Sequence, residues 1–95
     1  MPLRTDEELL LAVQRSEPAA LAELYLRHAP RMLGVARRVL GTRRDAEDTL
    51  QDVFLELWQC ARDYESARGS AVTWLFVRVR SRALDRRRAR ERSLT

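Results

Sequence analysis

Apolar residues recur along this chain at three- and four-residue steps, the period of helices with one buried face. The clearest run is Leu21, Leu24, Tyr25, His28, Met32, Leu33, Ala36, Val39 and Leu40, which predicts a helix from about Glu17 to Leu40. Pro30 lies inside it. A proline removes a backbone donor and clashes one turn back, so a kink or break is expected there. Gly41 follows as the expected left-handed stop. A shorter helix precedes, with Leu9, Leu10 and Val13 apolar; Thr5-Asp6-Glu7-Glu8 fits a capping box that starts it. It ends near Ser16-Glu17-Pro18, where Ser16 is expected to cap the next helix and Pro18 to sit in its first turn. A third helix is predicted to about Arg62, with either Thr42 or Asp45 as its cap and Asp45, Glu47 and Asp48 in its first turn. Residues 63–70 read as a loop. A fourth helix runs from about Ala71 to at least Arg88, and Arg90 to Thr95 are expected to be frayed or linker-like. The pattern predicts an all-α fold, a compact bundle of about four helices.

The last two helices each show two faces. At about 100° per residue, Ala46, Leu50, Val53, Phe54, Leu57, Cys60 and Ala61 share one arc of the third helix and form its core face. Glu47, Asp48, Gln51, Asp52, Leu55, Trp58 and Gln59 turn away from it. Leu55 and Trp58 lie three residues apart in that polar stripe, a bulky pair ringed by carboxylates and amides, as in a protein interface. A neighbouring helix covering Trp58 is the plainer alternative. On the fourth helix, Val72, Leu75, Phe76, Val79 and Ala83 face the core, and Trp74, Val77, Arg78, Ser81, Asp85 and Arg88 face away. An aromatic with arginines further along suits unpaired bases and phosphates. A solvated basic helix with Trp74 tucked against the second helix is the alternative.

Composition sharpens this picture. The chain has 95 residues, enough for one small domain. All 18 basic residues are arginine, and the net charge is +4. The charge is divided: residues 1–67 carry nine arginines against twelve acids, net −3, and residues 68–95 carry nine against two, net +7. Two surfaces for two kinds of partner are implied. One cysteine excludes an internal disulfide, and with one histidine it excludes a zinc-finger ligand set. The longest aliphatic run, Leu9 to Val13, is too short to span a membrane, and a reduced, cytoplasmic chain is expected. His28 and Cys60 both fall on apolar faces and read as packed groups. No nucleophile–base pair or metal set is present, so an enzyme, a cofactor and a small-molecule substrate are not expected.

Asp45-Ala46-Glu47-Asp48-Thr49-Leu50-Gln51-Asp52-Val53-Phe54-Leu55-Glu56-Leu57-Trp58 resembles region 2.2 of bacterial sigma-70 family initiation factors, in their extracytoplasmic-function (ECF) class. Arg68 to Phe76 and Ser81 to Asp85 are similar to regions 2.3 and 2.4. Pro18 to Tyr25 and His28 to Arg31 resemble region 2.1. The resemblance covers about residues 5–92, with region 2.1 at about 5–41, region 2.2 at about 45–62 and regions 2.3 and 2.4 at about 63–90. Residues 93–95 would begin a linker. It implies the helical bundle of sigma region 2. It also implies that Asp48, Gln51, Asp52, Leu55, Glu56 and Trp58 dock on the clamp helices of the β′ subunit of core RNA polymerase. The loop before the last helix would read the minus-ten element in the non-template strand, with Tyr64, Ser66, Arg68 and Ser70 in the loop and Trp74 and Ser81 flanking it. Arg78, Arg82 and Arg88 would hold phosphates. An anti-sigma factor is a further implied partner.

Two departures from the family stand out. Ser81 occupies a position where the family often has asparagine, and it offers one hydroxyl in place of a carbonyl and an amide. ECF factors are also about twice as long and carry a helix-turn-helix domain that this sequence does not supply, so a piece cut from a longer factor is expected rather than a natural stand-alone domain. Two other classes stay open from the residues. One is an interaction module that binds a protein through Leu55 and Trp58 without touching DNA. The other is a generic basic helical DNA binder.

Overall fold

The computed structural model describes residues 3–94. Four helices form: α1 (Asp6–Gln14), α2 (Pro18–Leu40), α3 (Arg43–Cys60) and α4 (Ala71–Leu94). Two 3-10 turns, Ala61–Asp63 and Ser66–Arg68, lie between α3 and α4. The capping box is present in full: Thr5 Oγ1 accepts from the Glu8 amide at 3.1 Å, and the Glu8 carboxylate accepts from the Thr5 amide at 3.0 Å. Thr42 caps α3, its hydroxyl accepting from the Asp45 amide at 3.2 Å, which resolves the two candidate caps. Gly41 closes α2 at φ 86°.

Three local expectations change. Ser16 does not cap α2. It adopts φ 63° and closes α1 from behind: its amide donates to Val13 O at 2.9 Å, and the Glu17 amide donates to Ala12 O at 3.1 Å. This is the paired bonding of a Schellman stop, with serine in glycine's usual place. Glu17 takes the cap position of α2 without a side-chain bond. Pro30 does not break α2, which stays helical on both sides of it. Pro30 and Leu26, whose carbonyl loses its donor, are both exposed, so water can serve that carbonyl. Arg90 to Leu94 are helical rather than frayed, and the Arg90 side chain ties this end to the bundle. Thr95 lies outside the described residues.

The core draws on every helix. Leu9, Leu10, Leu24, Met32, Leu50, Leu57, Leu75 and Val79 are all fully buried. Each such leucine contributes roughly 1.5–3 kcal/mol by leaving water. The apolar steps in the sequence match this core in outline: Leu21, Leu33, Val39, Cys60, Val72 and Phe76 are only partly buried, Tyr25 is exposed, and Thr49 is buried. Thr49 is satisfied by donating to Asp45 O at 2.8 Å. The long α2 packs against the other three helices. It is antiparallel to α3 through the Gly41-Thr42 turn. It is parallel to α4: Arg31 lies over the Phe76 ring, and Arg90 donates to Leu40 O nine residues further along α2. His28 joins α1 to α2, with Nε2 at 2.8 Å from the Asp6 carboxylate, which also accepts from Arg27 at 3.1 Å. His28 is therefore a packed histidine.

A candidate polymerase dock and a candidate promoter-reading loop

The outer stripe of α3 divides into two flanks. On one flank, Leu55 and Trp58 are exposed at 60% and 38% and form the edge of an apolar groove of about 910 Å³ between α2 and α3. Leu21, Tyr25, Leu26 and Ala29 of α2 form the opposite wall. Tyr25 meets Phe54 edge-on across the groove floor, with ring centroids 5.1 Å apart. Among the described residues no neighbouring helix covers Trp58. Gln51 and Glu47 border the groove, Arg43 holds Glu47 at 2.7 Å, and Asp48 is exposed on the crest of the helix. Tyr25 and Leu26 were not singled out as surface groups in the sequence. Leu26 falls off the apolar stripe of α2, and that off-stripe leucine was the signal the sequence offered.

The other flank faces α4. Glu56 takes both Arg82 and Arg78, the latter at 3.9 Å. Asp52 lies 3.8 Å from Arg86, and Asp45 lies 3.4 Å from Arg90. These pairs make α3 and α4 antiparallel neighbours. The geometry splits the six residues assigned to docking: Asp48, Gln51, Leu55 and Trp58 look outward, whereas Asp52 and Glu56 are engaged by arginines of the same chain. Two of the arginines expected to hold phosphates, Arg78 and Arg82, share the Glu56 carboxylate. Arg88 lies 3.6 Å from Asp85 on the exposed side.

The loop between α3 and α4 is built, not slack. The Tyr64 hydroxyl donates to Gly69 O at 2.9 Å, closing the six-residue span. Gly69 sits at φ 139°, a conformation that L side chains rarely adopt. The Tyr64 ring rests against Trp74, with centroids 5.7 Å apart, and Arg78 lies over the same indole at 5.2 Å. Trp74 thus rests against the loop. Burial, then the Glu7 carboxylate, raises the Tyr64 phenol above its ordinary value, so it stays a donor. The Ser70 hydroxyl accepts from the Thr73 amide at 3.2 Å at the start of α4. Arg68 pairs with Glu65 at 3.1 Å, and Ser66 and Ser81 are exposed. Glu7, which the sequence reading left in the α1 cap, reaches this site: its carboxylate accepts from the Ala71 amide at 3.0 Å. Cys60 is half-buried, and its thiol is pushed up by that burial against the opposing pull of Arg78. Among the described residues no group of three or more His, Cys, Asp or Glu could hold a metal ion, and no helix is long and apolar enough to cross a membrane.

A bundle of four helices is the fold that the family resemblance implied. Residues 24–93 match the family described as Sigma-70 region 2. The chain belongs to the sigma-70 family and carries its region 2 domain in the ECF class. It is 37% identical over 92 residues to the ECF RNA polymerase sigma factor SigK of Mycobacterium ulcerans, covering 95% of this chain and 49% of the relative. It is 38% identical over 85 residues to SigK of Mycobacterium tuberculosis strain H37Rv, covering 90% and 46%. The chain spans about half the length of these curated relatives. No solved structure matches it.

Proposed function

We propose that this domain joins core RNA polymerase through the Leu55–Trp58 edge of the α2–α3 groove, and that it selects and melts the minus-ten promoter element with the loop 64–70 and the first turns of α4. The observation that carries the reading is the separation of two unlike surfaces on one small bundle. One is an apolar groove with exposed Leu55 and Trp58 and with Asp48 and Gln51 beside it. The other is a tied loop beside a tryptophan and a row of arginines. The groove's occupant in this reading is the coiled coil of the β′ clamp, whose ridge would enter between α2 and α3. An anti-sigma factor would compete for the same edge. At the loop, a base turned out of the stack costs a few kcal/mol, and contacts within the pocket must offset that cost. The domain's work is binding, with no bond made or broken.

The test pairs retention on core polymerase with binding to a single-stranded minus-ten oligonucleotide. Trp58→Ala should lose the first and keep the second, and Trp74→Ala should do the reverse. Core retention without any DNA binding would favour a pure protein-interaction module. DNA binding without core retention would favour a generic DNA binder.

A further inference from the structure

The arginines of α4 do not all serve one face. Arg78, Arg82, Arg86 and Arg90 follow one another at four-residue steps along the α3 flank, each with a carboxylate of α3. Arg80 lies about 200° around the helix from Arg78, so it points to the opposite side. Phe76, Arg80 and Arg87 share a stripe within about 40° on that side. The neighbouring helix there is α2, because Arg31 lies 5.6 Å over the Phe76 ring. On α2, Arg38 follows Arg31 by seven residues, within about 20° of the same stripe and about 10 Å along the axis. Arg31, Arg38, Arg80 and Arg87 are all exposed. Among the described residues, Arg31, Arg38 and Arg80 have no carboxylate partner, and Arg87 has only Glu91 of its own helix at 3.8 Å. No acid occurs in the sequence between Glu23 and Asp45, or between Glu65 and Asp85. The field of this face is therefore not cancelled locally.

We propose that the α2–α4 face formed by Arg31, Arg38, Arg80 and Arg87 is a second DNA surface, which grips the phosphate backbone of duplex DNA without reading its sequence. It extends the DNA-binding reading above and rests on it. The chemistry selects the partner. The guanidinium fork matches phosphate oxygens. The stripe lacks an apolar anchor of the kind that protein interfaces need, since its aromatic, Phe76, is covered by Arg31. Two parallel helices set their arginines in a line, as a regular row of charges requires.

The test is a salt titration of the full chain on a random-sequence duplex and on a single-stranded minus-ten oligonucleotide. The variant is Arg31→Gln/Arg38→Gln/Arg80→Gln. The plot of log affinity against log salt on the duplex should become shallower by about 1 per arginine, about 3 in all. The single-strand slope should change far less, and the matching Arg→Lys triple variant should restore the duplex slope. A wild-type chain that binds duplex with a slope unchanged in the glutamine variant would overturn this inference and leave the loop reading intact. A wild-type chain that binds neither DNA would overturn both. Loss of binding to poly-glutamate with duplex binding unchanged would overturn it in favour of an acidic protein partner.

Discussion

The Glu7 carboxylate accepts a hydrogen bond from the Ala71 amide at 3.0 Å, although 64 residues separate them. The first turn of α1 thereby supplies an anion to the first turn of α4, where unpaired amides and the helix dipole favour one. Because α4 begins directly after the loop 64–70, Glu7 also sets where that loop ends. Glu7→Ala should cost about 1 kcal/mol in urea unfolding, as the loss of a capping interaction does. It should also weaken minus-ten oligonucleotide binding, and Glu7→Gln should recover part of both losses.

Exposure separates docking from folding on α3. Leu55→Ala and Trp58→Ala remove groups that face water, so unfolding free energy should move little, by about 0.5 kcal/mol or less for Leu55. Leu57→Ala, between the two on the buried face, should cost about 2–5 kcal/mol. Pull-down on core polymerase should reverse the order among the folded variants, with Trp58→Ala and Asp48→Arg the weakest.

Glu56 serves the arginines of α4, so its removal should not behave like a docking defect. Glu56→Gln releases Arg78 and Arg82 from their carboxylate. Single-stranded DNA affinity at low salt should rise, with core polymerase retention unchanged. The stability change should stay within about 1 kcal/mol, as for other partly exposed pairs. A drop in polymerase retention would return Glu56 to the dock.

The thiol of Cys60 is raised by burial, so little thiolate forms at neutral pH. Iodoacetamide should label the folded chain more slowly than the urea-unfolded chain at pH 8. The folded-state rate should climb only above the ordinary thiol range.

Acid should weaken the α1 cap. Hydrogen bonds from Thr5, its backbone amide foremost, lower the Glu8 carboxyl below its ordinary value. A depressed folded-state value means that the cap contributes fully above the ordinary carboxylate value and is lost as pH falls through the depressed one. Glu8→Gln should flatten that acid dependence in helicity measured by circular dichroism.

The buried stripes, the Thr5 capping box, the Gly41 stop and the exposed Leu55–Trp58 pair were legible because each depends on residues within one or two turns. The partners across helices were not. The family resemblance set Glu56 beside Trp58, and a helical wheel does not show which faces of two helices meet, so the pairing of Glu56 with Arg82 was not visible. The same limit hid Glu7, whose role depends on a helix start far along the chain. Ser16 was misplaced for a different reason: a left-handed serine is chosen by the bonds it closes behind it, and serine's preference for starting helices concealed this. Phe76 and Arg31 likewise gave no sign in sequence that they cross.

The final helix is held at both ends. Its first amide is fixed by α1, and near its last turn Arg90 is fixed to Leu40 O at 3.3 Å and to Asp45. From Ala71 to Arg90 run 20 residues without a proline or glycine, about 30 Å of continuous helix. Such a rod acts as a ruler. The distance from the loop at one end to the arginines at the other cannot stretch to suit a ligand, so a nucleic acid contacting both must bring the matching spacing or bend to reach it.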